Sequence, residues 1–330
     1  MEETGFDNIS QRTRFGAAVG EEKKSGVLQQ INKGVAEERE KIETQHVFGY
    51  SLRELSTTEQ EDLNQMIATT GQKLEALGLE NVQAILPQLE QMIIVDVDSQ
   101  NRYQKGNESV DGGLSLYGEY IRINLPKEMK ITDPQVKRAI FHELSHFVST
   151  QVIKIDSQEN QGFRPGALGF NRSVIDKETG RENMRGIWEE STAELFALFC
   201  LDQDIEATTV YRIQFPFMLS FVEKLADLKG DLSTFEAFKL IYKGKTTRDF
   251  NVQRELVEAF GSEVVRKINN IIADPGIRDE NEIIEIASLG GFQDRYKELQ
   301  EKIDTGSVSI AEIIPEIQGR IKKDTSFVAE

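Results

Sequence analysis

Apolar positions fall along this chain in two rhythms. From Ser56, the run STTEQEDLNQMIATTGQKLEALG spaces its leucine, methionine and isoleucine at helical intervals. It opens with Ser56 and Glu59 in capping-box register and ends on a glycine, which predicts a helix. The rhythm then changes. QMIIVDVDS at 91–99, GLSLYG at 113–118 and EYIRINL at 119–125 are rich in β-branched and aromatic residues and punctuated by Gly, Asp and Asn, so they read as strands. The last two stand almost back to back, as in a hairpin. Thr132 and Asp133 then offer capping oxygens ahead of Pro134, starting a helix through QVKRAIFHELSHFVSTQVI.

Residues 155–183, with their Gly, Pro and Asn, read as loop, with a short strand in GALGFNRSVID. A helix is expected over about 185–201, and further helices over 208–228, 233–243, 250–272, 279–303 and 308–323. The first 45 residues are polar, contain glycine and are rich in Glu and Lys, which predicts a loosely attached, partly disordered arm with weak helical spacing over 27–42. The expected class is α+β. Its parts are the arm (1–45), a domain that holds the strands and the helices around them (46–230) and a helical C-terminal subdomain (231–330).

Composition narrows the partners. The 330 residues carry a formal net charge of -17, which repels a phosphate backbone and an anionic membrane surface alike. No run approaches the roughly 20 apolar residues of a membrane-spanning helix, and MEETGFDNISQRTRFGAAVG lacks the pattern of a secretory leader. The cytoplasm is therefore the expected compartment. The single cysteine, Cys200, lies in the apolar run LFALFC and reads as a packed thiol. Oligomeric state has no signature in the sequence.

The chemistry is concentrated in His142-Glu143-Leu144-Ser145-His146. At about 100° per residue, with His142 at 0°, His146 falls at about 40° and Glu143 at about 100°, so the three share one flank. Ile140, Phe141, Leu144, Phe147 and Val148 occupy the opposite arc, so the helix buries one face and offers the other to a cleft. Imidazoles at i and i+4 are neighbours and suit a shared ion, while Glu143 is turned far enough to face a water instead. The chain has only three histidines, so a chance HExxH is a weak competitor. His46 has no partner signature and reads as surface or core.

A catalytic zinc takes three protein ligands and an open position. The segment IWEESTAELFALFC offers carboxylates one turn apart at Glu190 and Glu194 on an otherwise apolar helix. Buried carboxylates must be paired, protonated or bound to metal, and pairing with Arg138 or Arg185 is the alternative. HExxH followed by Glu190-Ser191-Thr192-Ala193-Glu194 resembles the zincin metallopeptidases, of the gluzincin type that includes the lethal-factor-like arrangement. The resemblance covers roughly residues 90–205. It implies a zincin-like catalytic domain with Zn2+ held by His142, His146 and Glu190, Glu194 supporting a ligand, and Glu143 as general base. It further implies a sheet edge that binds an extended peptide or protein substrate by strand addition. Glu189 points about 100° away from Glu190 and is the weaker ligand. Tyr211 and Arg185 are candidates for stabilising the oxyanion, and Arg164 and Arg172 for bordering the cleft. The competing reading is a non-catalytic zinc-binding scaffold acting through the helical C-terminal half, and beyond it a helical interaction protein without metal.

Overall fold

The computed structural model describes residues 7–15, 20–45, 50–97, 111–115, 118–155, 163–169, 171–175, 182–185, 188–201, 213–230, 232–271 and 280–305. Helices and small sheets alternate along these residues, a mixed α and β fold in which helix predominates. The chain divides into two compact units, Met1–Glu75 with Glu80–Gly166, and Ala76–Leu79 with Ala167–Glu330. The division at 166/167 falls inside the stretch expected to be one catalytic domain.

In the first unit, α1 (Asp7–Arg12), β1 (Thr13–Phe15) and α2 (Glu21–Gln45) occupy the segment read as a polar arm. Few apolar residues suffice to anchor it. Ile9, Val27, Ile31 and Ile153 form one buried cluster, and Asn8 donates to the Leu86 carbonyl at 2.6 Å and to the Gln91 side chain at 2.7 Å. Next come β2 (Tyr50–Leu52) and α3 (Thr57–Ala76), and then β3 (Met92–Val97), β4 (Asp111–Leu114) and β5 (Ile121–Pro126). The sheet order is β2-β3-β5-β4, so β4 is an edge among the described strands. It runs antiparallel to β5, with Gly112 opposite Ile123, as the expected hairpin requires.

Ile93 and Val95 on one face of this sheet pack with Ile42 of α2. The other face, carrying Ile94 and Ile123 in register, is covered by α4 (Pro134–Phe147), which packs on β4 and β5. This helix is shorter than the sequence suggests. It ends at Phe147, and Gln151–Ile155 becomes β6, paired in parallel with β1. The β-branched Val152 and Ile153 favour a strand once a partner is present, and the partner comes from the N-terminal segment.

The second unit holds the antiparallel strands β7 (Phe163–Leu168), β8 (Asn171–Ile175) and β9 (Glu182–Arg185), paired in that order. Helices follow: α5 (Trp188–Cys200), α6 (Gln214–Lys229), α7 (Thr234–Thr247), α8 (Phe250–Phe260), α9 (Ser262–Asn270), α10 (Glu280–Leu289) and α11 (Gln293–Asp304). Two expected long helices are each divided by glycine. Gly261, at φ 83, separates α8 from α9, and Gly291, at φ 70, lies between α10 and α11. Left-handed backbone at those positions is open to glycine at little cost. Stacked and edge-on rings of Phe217, Phe221, Phe260 and Phe292 bind these helices together. The helix expected over 308–323 lies outside the described residues. No described helix is long and apolar enough to cross a membrane.

Candidate metal-binding site

The packing of α4 follows from its wheel. Val136, Ile140, Leu144 and Phe147 are each fully buried and Phe141 nearly so. The polar flank is buried as well, with His142 3% exposed and Glu143 and His146 6% each. The two imidazoles stand edge to face, their centroids 4.7 Å apart, and their Nε2 atoms face each other at 3.0 Å. Two such nitrogens either share one proton or direct both lone pairs at a common cation. Glu143 lies against the edge strand, in space that exists because Gly112 has no side chain. A Cβ on Gly112 would stand 2.8 Å from Glu143 Cγ and 2.9 Å from its Oε1.

The far end of α4 rests on an unusual support. Arg12, fully buried, lies with its guanidinium 3.8 Å from the centroid of the Phe147 ring and donates from Nη2 to the Gly118 carbonyl. Burial pushes its pKa down to about 9, against the opposing pull of the Glu119 charge. The residue after the second histidine is thus fixed from below by the N-terminal segment.

On α5 every residue except Glu190 is buried. Trp188 anchors the first turn, donating from Nε1 to Asn269 at 2.6 Å and meeting Phe221 edge-on at 5.2 Å. Glu189 pairs with Lys245 of α7 at 3.2 Å, both side chains almost wholly buried. Glu194 is 2% exposed, one turn beyond Glu190. Within the first unit, α4 thus brings two imidazole nitrogens together on one buried flank; within the second, Glu190 is the acid that α5 leaves partly exposed.

The other sequence candidates are spread more widely. Tyr211 and His46 lie outside the described residues. Arg164, Arg172 and Arg185 fall on β7, β8 and β9. Cys200 is buried, in keeping with a packed thiol. Sequence reasoning passed over Gly112, Arg12 and Lys245. Only Gly112 carried a signal, since a glycine within a strand pattern marks close approach by another group. Compared with protein-family models, with curated proteins and with solved structures, the chain has no match.

Proposed function

We propose that this chain is a zinc-dependent peptidase of the zincin type, with His142, His146 and Glu190 as metal ligands and Glu143 as general base. The observation that carries the reading is the meeting of the His142 and His146 Nε2 atoms, 3.0 Å apart on the buried flank of α4 with Glu143 beside the first of them; Glu190 enters as third ligand through the resemblance of its segment. Donors at about 2.1 Å around a tetrahedral ion stand roughly 3.4 Å from one another, so the 3.0 Å between the Nε2 atoms is close to what a shared ion needs. Two nitrogens and one carboxylate oxygen are also a donor set that zinc takes in catalytic sites, with the fourth position left for water. Bound zinc would supply Lewis acidity, polarising a peptide carbonyl and acidifying a water molecule.

The protein's own residues do the rest. Glu143, one residue after the first ligand, accepts the proton of the attacking water and returns it to the leaving amine. Burial of its carboxylate against Gly112 holds it away from bulk water. Among the described strands β4 is an edge, and an extended peptide would add there by backbone hydrogen bonds. Glu194, buried one turn beyond Glu190, is suited to support a ligand from behind.

A scaffold that merely binds zinc has no use for a carboxylate beside the first histidine, and this favours hydrolysis over the scaffold reading. The test is metal content and peptide-library cleavage of wild type, His146→Ala, Glu190→Ala and Glu143→Gln. The expected outcome is one zinc per chain in wild type, loss of zinc in the first two variants, and zinc without turnover in the third. Wild type with less than about a tenth of a zinc per chain after metal-replete purification would end the proposal.

A further inference from the structure

The pair Glu189–Lys245 has no part in the reaction described above, yet it is buried as completely as any apolar contact in the second unit. Lys245 is 0% and Glu189 2% exposed by side chain, with Nζ and Oε2 3.2 Å apart. Lys245 sits in the last turn of α7 and Glu189 in the first turn of α5, so each charge lies at the helix end whose dipole favours it. Gly169, in the turn between β7 and β8, completes the enclosure. Its φ is 51, and a Cβ there would overlap the Glu189 carboxylate. Arg248, which follows the same turn of α7, adds a second positive charge acting on Glu189. Two separate segments, the end of α7 and the turn between β7 and β8, therefore converge on one carboxylate.

A buried ion pair is a poor way to gain stability, since well-packed apolar residues of the same volume do as well or better. What it offers is definition of place, because the charges are satisfied only in one arrangement. On α5 that place adjoins Glu190, the one residue of the helix that is not buried. The first turn of a helix frays readily, as its backbone N–H groups lack intrahelical partners. Fixing Glu189 fixes the rotation of that turn, and with it the direction in which Glu190, about 100° further round, presents its carboxylate.

We infer that Lys245 and Glu189 form a positioning pair that sets the orientation of the Glu190 carboxylate for metal binding. The inference deepens the zinc reading and rests on it. The experiment measures zinc affinity by competition with a chromophoric chelator, alongside thermal unfolding of each metal-free protein. The variants are Lys245→Met, the double variant Glu189→Gln/Lys245→Met, and Phe238→Leu, which loosens α7 without touching the pair. Lys245→Met strands a buried carboxylate and is expected to unfold at lower temperature. The double variant leaves no buried charge, folds, and binds zinc about 10- to 100-fold more weakly than wild type, the range typical of lost outer support to a ligand. Phe238→Leu lowers Tm and leaves zinc affinity as it is. A folded double variant with wild-type affinity overturns the inference. So does a double variant that fails to fold, because a pair kept for positioning is dispensable to the fold once both charges are gone. Failure of the zinc reading looks different: wild type then takes up no zinc, or His146→Ala binds it as tightly as wild type.

Discussion

The helices α4 and α5 carry their charged residues in opposite ways. Helix α4 is amphipathic, so its apolar arc and polar flank separate cleanly, and both histidines and Glu143 fall on one side. Helix α5 is apolar around nearly all of its circumference, and its acids are exceptions within a core. The first kind of helix announces a site by pattern. In the second each acid has its own surroundings: Glu189 meets Lys245, Glu190 reaches the partly open position, and Glu194 lies buried a turn later. A charge on such a helix is explained only by the group it faces, and that group comes from elsewhere in the chain.

If the contrast is sound, substitutions on the two helices fail by different routes. Glu143→Gln on α4 keeps shape and volume, so it is expected to lower kcat by about 10²- to 10⁴-fold while Tm moves little, as read from peptide cleavage and calorimetry. A variant that loses several degrees and retains turnover would reverse the roles given to the two helices. Lys245→Met, acting on α5, is expected to cost about 3–5 kcal/mol of stability, since it takes from a buried carboxylate its direct ion-pair partner. Glu189→Gln/Lys245→Met should recover most of that loss in chemical denaturation. Equal loss in single and double variants would mean that packing of the Lys245 stem, and not its charge, holds α5.

The same contrast explains what the sequence disclosed. That His142, Glu143 and His146 share one flank of a helix was legible because their spacing falls within one short segment. The capping box at Ser56 and the hairpin of β4 and β5 were legible for the same reason, as local signals with local consequences. The end of α4 was not, because Gln151–Ile155 becomes a strand only through pairing with β1, more than a hundred residues earlier. The N-terminal segment was misjudged by composition: Ile9, Val27 and Ile31 are few but all point inward, and Arg12 is buried where arginine is seldom found. Lys245 could not have been singled out, since nothing in TFEAFKLIYKGKTT distinguishes it from the other lysines of the same helix.

Gly112 sharpens the comparison from the side of the sheet. Its missing side chain makes room for Glu143, so Gly112→Ala forces the end of a flexible carboxylate to move while the strand stays in place. The expected result is a fall in kcat of about 100-fold, the scale of a misplacement near 1 Å, with zinc content unchanged. Wild-type kcat in Gly112→Ala, set beside an inactive Glu143→Gln, would show that the base tolerates a different seat.

The smallest effect concerns how helices begin. Asp133, ahead of α4, accepts from the Lys130 N–H at 2.9 Å, and its side chain makes no cap hydrogen bond to the helix. Ser56 and Glu59, at the start of α3, form a reciprocal box. Ser56 Oγ accepts from the Glu59 N–H at 3.3 Å, and the Ser56 N–H and hydroxyl donate to Glu59 Oε2 at 3.0 and 2.8 Å. Partial burial works to raise the pKa of Glu59, but the hydrogen bonds from Ser56 and the charge of Arg53 outweigh it and hold the carboxyl below its usual 4.5. A carboxyl that is more acidic when folded stabilises the fold above the unfolded pKa, and that contribution drains away as pH falls through the lowered folded value. Ser56→Ala should therefore cost about 1 kcal/mol near neutral pH, and the gap from wild type should narrow below pH 4.5, measured by urea unfolding across pH. A gap of constant size down to pH 3 would mean that the Ser56 hydroxyl, capping the Glu59 N–H alone, supplies the whole effect and the carboxylate none.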